Sequence, residues 1–125
     1  MRAVDTNVLV RILTRDDPKQ VRAADDFVAA GAWVPLLALA EAIWVLATVY
    51  ERDVEIGASV SQLLDHKDLI LQDREVVAAA REVFRSRPAL GFTDCLLLEV
   101  ARKAGHLPLG TFDRGLGKME GTDKL

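Results

Sequence analysis

Between Phe27 and Tyr50 the chain carries one charged residue, Glu41, in an otherwise uncharged run. The run is long enough for a membrane span. Gly31 and Pro35 interrupt it early, however, and a carboxylate in mid-membrane is costly. The better reading is a helix start near Asp16-Asp17-Pro18, a stop at Gly31, a strand at Trp33-Val34, and a long helix from Leu36 to about Arg52. The last helix is apolar nearly all round, which predicts a place in the core.

The rest of the chain repeats this alternation. Met1 to Asp5 reads as a short buried strand and Val8 to Leu13 as a short helix. Asp53 is expected to cap a helix facing inward with Ile56, Val60, Leu63 and Leu64. Leu69-Ile70-Leu71 is a third strand. A helix follows with Val76, Val77, Ala80, Val83 and Phe84 on its apolar side, ending before Pro88. Another runs from about Thr93 to Lys103 with Gly105 as terminator. Pro108 to Thr111 is the next strand, and the tail has room for one more. Strands alternating with helices predict an α/β sandwich around a mostly parallel sheet. At 125 residues, with no repeat or linker, residues 1–125 read as a single domain.

Composition narrows the chemistry. One cysteine, Cys95, excludes an internal disulfide and a thiolate metal centre, and fits a reducing compartment. Two histidines are too few for a histidine-based zinc centre without carboxylate help. No targeting segment is apparent, so a cytoplasmic location is expected. The net charge of −3 argues against a nucleic-acid partner at first sight. Neutralising four acids with metal would leave the remainder at +1, so the position of the acids decides.

Four acids stand in unusual places. Asp5 ends a strand, and open parallel sheets bind ligands beyond the carboxyl ends of their strands. Glu41 lies in a helix with no evident wet face, where a carboxylate needs a cation, a hydrogen-bonding partner or a pocket. Asp94 opens a helix, and Asp113 follows the strand ending at Thr111. Plainer roles exist: a turn or cap for Asp5, an arginine partner for Glu41, and helix caps for Asp94 and Asp113. Taken jointly, four convergent carboxylates make a hard-oxygen site that selects Mg²⁺ or Mn²⁺. Such a site is chiefly a phosphoryl-transfer device.

Asp5-Thr6-Asn7 after an N-terminal strand resembles the opening of the PIN-domain nucleases. Glu41-Ala42-Ile43-Trp44-Val45-Leu46 resembles their second acidic motif, Phe92-Thr93-Asp94 the third, and Thr111-Phe112-Asp113-Arg114 the fourth. Order, spacing and length resemble the VapC toxins of type II toxin–antitoxin systems. The resemblance implies a three-layer α/β/α sandwich with a central, mostly parallel sheet of four to five strands. It implies a Mg²⁺- or Mn²⁺-dependent endoribonuclease, an RNA substrate, a small cognate antitoxin and a toxin homodimer. By position, Asp5, Glu41 and Asp94 are the core metal-binding acids and Asp113 the more variable fourth. Thr6, Asn7 and Thr111 are polar supports. One departure stands out: many relatives carry an acid where this chain has Gly91.

Water activated by metal and attacking in line predicts products with 5′-phosphate and 3′-OH ends. Among the cations, Arg11, Arg15 and Arg114 lie close in sequence to the motifs, whereas Arg81, Arg85 and Arg87 read as a solvated helix face helped by Glu82. Trp33 and Trp44 fall at core spacing, and neither is expected to stack on bases. His66 and His106 sit near helix ends and receive no catalytic role. The competing readings are a non-catalytic RNA- or protein-binding module and a haloacid-dehalogenase-type phosphatase. The phosphatase chemistry wants a second Asp where Asn7 stands, and a later lysine that is not evident.

Overall fold

The computed structural model describes residues 1–125, with the side chain of Asp53 excepted. The expected Asp53 cap therefore lies outside the described residues. The chain divides into two compact units, Met1–Arg74 and Glu75–Leu125.

In the first unit, strand β1 (Arg2–Ala3) leads into helix α1 (Thr6–Thr14), then α2 (Pro18–Val28), β2 (Ala32–Val34), α3 (Leu36–Thr48), α4 (Ile56–Asp65) and β3 (Leu69–Leu71). The strands pair in parallel in the order β1-β2-β3, with Ala3 opposite Trp33 and Trp33 opposite Ile70. Ala32, Val34, Leu69 and Leu71 are buried, while Trp33 and Ile70 on the alternate face are exposed. That is the period of two that a pleated strand imposes.

Local chemistry explains the helix boundaries. Asp17 caps α2 by accepting from the Gln20 amide at 3.1 Å, and Pro18 takes the first helical position. The residues of α4 read as inward, Ile56, Val60, Leu63 and Leu64, are all buried. Each fully buried Leu or Ile contributes roughly 1.5–3 kcal/mol. Helix α1 packs against α2 and α3, and α4 packs against α3 and β3.

Helix α3 corrects two expectations. It ends at Thr48, short of Arg52. It buries Ala38, Leu39, Ala42, Ile43 and Leu46 but leaves Leu37 79% and Trp44 56% exposed. A helix apolar on every side carries no pattern to say which side is covered. No helix among the described residues is long and apolar enough to cross a membrane.

In the second unit, α5 (Arg74–Ser86, beginning on the last residue of the first unit) is followed by α6 (Phe92–Ala104), β4 (Leu109–Thr111) and β5 (Thr122–Lys124). Strands β4 and β5 pair in parallel, Thr111 opposite Lys124. Phe84 and Phe92 meet edge to face, centroids 6.1 Å apart, and tie α5 to the start of α6. Gly105 closes α6 in the left-handed conformation at φ 80°. The five strands are all paired in parallel, as the α/β reading requires, but form sheets of three and two rather than one.

Candidate active site

Asp5 follows the buried Val4, whose amide donates to the Trp33 carbonyl at 3.1 Å and so fixes the end of β1. From there Asp5 caps α1, its Oδ1 accepting from the Val8 amide at 3.2 Å. The plainer role expected of Asp5 is thus real, but it occupies one oxygen. No other described group bonds Oδ2. Thr6 is the first residue of α1 and half-buried; Asn7 is exposed. Asn7 lies on the rim of a groove of about 290 Å³ between α1 and α2, with Val8 and Phe27 in its walls and Arg11 and Gln20 beside them.

Glu41 lies in the middle of α3 and is exposed. Its apolar neighbours predict a carboxylate in need of a cation, a hydrogen-bonding partner or a pocket. The structure places it instead on the open side of α3, between Leu37 one turn before and Trp44 one turn after. Trp44 is therefore not a core residue, and Trp33 is only partly one.

In the second unit the geometry is tighter. Gly91 is the cap residue of α6, at φ 79° and ψ 143°, and no side chain caps this helix. Asp94 is its third residue and half-buried, so it is not the cap that one reading allowed. Burial, then the nearby charge of Asp113, holds the Asp94 carboxyl above its ordinary value. Asp113 sits in a turn fixed by three hydrogen bonds. Its amide donates to Thr111 Oγ1 at 3.0 Å, its Oδ2 accepts from the Leu116 amide at 2.7 Å, and its carbonyl accepts from the Gly117 amide at 2.9 Å. Thr111 supports Asp113 directly, and Asp113 again commits one oxygen to capping.

The conformation of Gly91 is one that an acid would not readily adopt. A Cβ there would meet nothing within 4 Å, so space is not the constraint. The backbone angles are the constraint, since they belong to a region essentially restricted to glycine.

Two of the three cations close in sequence to the motifs, Arg11 and Arg15, are engaged elsewhere. Arg11 donates to Gln20 Oε1 at 2.6 Å, Asp16 Oδ1 at 2.8 Å and the Tyr50 hydroxyl at 3.1 Å, binding α1 to the start of α2 and the end of α3. Arg15 pairs with Asp25 at 2.8 Å. Glu82 pairs with Arg81 and Arg85, as the solvated-face reading expects. Arg114 is exposed and has no ion pair among the described residues. His66 accepts from the Asp68 amide and His106 is exposed.

Asp94 and Asp113 give the second unit two neighbouring carboxylates, the charge of Asp113 opposing ionisation of Asp94. Their donors are all hard oxygens, which fit Mg²⁺ or Mn²⁺ rather than zinc. Among the described residues no group of three or more His, Cys, Asp or Glu side chains is gathered as a metal site.

A family model described as PIN domain matches residues 2–121, which spans both units. The chain belongs to the PIN-domain family. PIN domains are generally metal-dependent nucleases, so the coarse assignment is a nuclease-type module. This membership displaces the phosphatase alternative. No curated protein and no solved structure matches the chain.

Proposed function

We propose that this PIN domain is a Mg²⁺- or Mn²⁺-dependent endoribonuclease acting as the cytoplasmic toxin of a type II toxin–antitoxin system. The observation that carries the reading is the Asp94–Asp113 pair, a partly buried carboxylate raised by burial and by its acidic neighbour. Two neighbouring carboxylates place negative charge where a bound cation would relieve it. In this reading Asp94 and Asp113 supply oxygen ligands together with Asp5 and Glu41. A bound divalent ion supplies Lewis-acid activation of water and neutralises charge on the phosphate. The protein's own part is placement. The α1 cap holds Asp5, the Thr111 turn holds Asp113, and the first turn of α6 holds Asp94, each with a carboxylate oxygen left for a ligand. Thr6 and Asn7 are polar supports beside Asp5. A cognate antitoxin and a toxin homodimer complete the proposal.

The test is cleavage of a mixed RNA pool with and without Mg²⁺, for the wild type and for Asp5→Asn, Glu41→Gln, Asp94→Asn and Asp113→Asn. The expected result is Mg²⁺-dependent cutting, lowered on the order of 100-fold or more in Asp94→Asn. The fragments should carry 5′-phosphate and 3′-OH ends, and 2′,3′-cyclic phosphate would contradict water attack. No cutting under any condition would favour the non-catalytic binding module. The toxin role predicts growth arrest when the chain is expressed alone, relieved by Asp94→Asn and by a small neighbouring reading frame.

A further inference from the structure

Single exposed apolar side chains are common on protein surfaces and need no explanation. Phe112 differs in how it is held and what flanks it. It is 81% exposed and stands between Thr111 and Asp113. On one side, the Thr111 carbonyl accepts from the Leu125 amide at 2.9 Å, which locks the end of β4 to β5. On the other, the hydrogen bonds of Thr111 Oγ1, Leu116 and Gly117 with Asp113 fix the turn. The ring is therefore displayed from a braced backbone. Among the described residues it joins no ring pair and no cation–π contact.

Its surroundings suit a single-stranded nucleic acid. Arg114 and Lys118 follow within six residues, both exposed and without an ion pair among the described residues. An exposed aromatic ring followed closely in sequence by cations is a combination that binds unpaired bases and the phosphates between them. A hydrophobic partner surface would favour a wider apolar patch. Here the residues on either side of Phe112 in sequence are polar, Thr111 and Asp113, and a cation follows; of the exposed apolar side chains, Leu125 is the one whose backbone bonds to Thr111.

We infer that Phe112 is a stacking platform for one unpaired RNA base, holding the nucleotide next to the phosphate addressed by Asp113. The inference rests on the nuclease reading and adds a positioning residue to it. Every base has a π-face, so stacking supplies affinity more than sequence choice. The larger purine ring gains more from it, so the subsite prefers a purine to a pyrimidine.

The experiment measures binding of fluorescein-labelled ten-nucleotide RNAs to Asp94→Asn protein in Mg²⁺, by anisotropy, with Phe112 kept or changed to Leu, Ala or Trp. Leu and Ala should weaken binding by about 5- to 150-fold, the range of one lost stacking contact. Trp should restore it. The loss should vanish on an oligonucleotide whose bases are replaced by abasic sites, and Leu should erase the purine preference. In the active protein, Phe112→Leu should raise KM more than it lowers kcat. Melting curves of the Phe112 variants should match that of the parent, as expected for so exposed a side chain. Equal affinity of Leu and Phe proteins, with RNA cutting intact, would overturn the stacking role and leave the nuclease reading standing. Failure of the protein with all four acids intact to bind or cut any RNA in Mg²⁺ would overturn both. Dissociation of an oligomer by Phe112→Leu at unchanged RNA affinity would assign the ring to a protein partner and overturn the inference.

Discussion

Asp5 and Asp94 differ in what they do for the fold, and substitutions separate the two. Asn caps a helix about as well as Asp, whereas Ala does not. Asp5→Asn should keep the bond to the Val8 amide and remove only the charge; Asp5→Ala should lose about 1 kcal/mol as well. Chemical denaturation of both variants checks this, and equal stability would mean that the cap contributes nothing. Asp94 works the other way. Its carboxyl is raised, so the folded chain holds that proton more tightly than the unfolded chain, and the ionised form opposes folding at neutral pH. Asp94→Asn should therefore stabilise the metal-free protein at pH 7. Partial exposure limits the gain to less than about 1 kcal/mol, or roughly 3 °C in Tm. It should fade as the pH falls through the raised value of the folded chain, and be gone below about 3.9, where Asp94 is protonated in both states. Cys95 is 1% exposed, and burial pushes its thiol up to about 11. It should resist thiol reagents in the native protein and react promptly once unfolded.

At the scale of elements, legibility followed the strength of local chemistry. Helix α2 could be read from Asp17 and Pro18, and α4 from its spaced Ile56, Val60, Leu63 and Leu64, because cap and periodicity each leave a mark in the sequence. Strand β3 was bounded by its three apolar residues. The orientation of α3 was not legible, since Leu37 and Trp44 are as apolar as Leu39 and Ile43, and only tertiary packing distinguishes them. The argument for Glu41 from burial failed for the same reason. Arg11 and Arg15 looked available because pairing across the α1–α2 turn, to Asp16, Gln20 and Asp25, leaves no periodic mark, and Tyr50 is remote in sequence. Gly91 is where an element depends on one residue type. Gly91→Ala meets no atom within 4 Å, so its penalty is conformational, about 1–3 kcal/mol at that φ and ψ. A lower urea midpoint at unchanged m is the expected reading.

For the whole molecule, charge governs how RNA can be approached. A chain of net −3 with acids at its candidate site has little general attraction for phosphate. Binding of a non-cleavable RNA by the unsubstituted chain should therefore depend more on Mg²⁺ than on basic surface. Its affinity should fall only gently with KCl, with a slope matching about one to three phosphate contacts. A steep slope would point instead to a broad cationic track. The order of the four acids along the chain was readable before any fold was in view. Their partners were not: the Val8 amide for Asp5 and the Leu116 amide for Asp113 emerge only from turn geometry.

Those two bonds bear on how such a protein could change over generations. Because Asp5 and Asp113 each anchor a turn through one oxygen, an amide in either place would preserve the scaffold and, on the proposed nuclease reading, silence the chemistry. A descendant that retired from cutting RNA, yet still had to fold, would be expected to carry Asn at these positions before it carried any apolar residue.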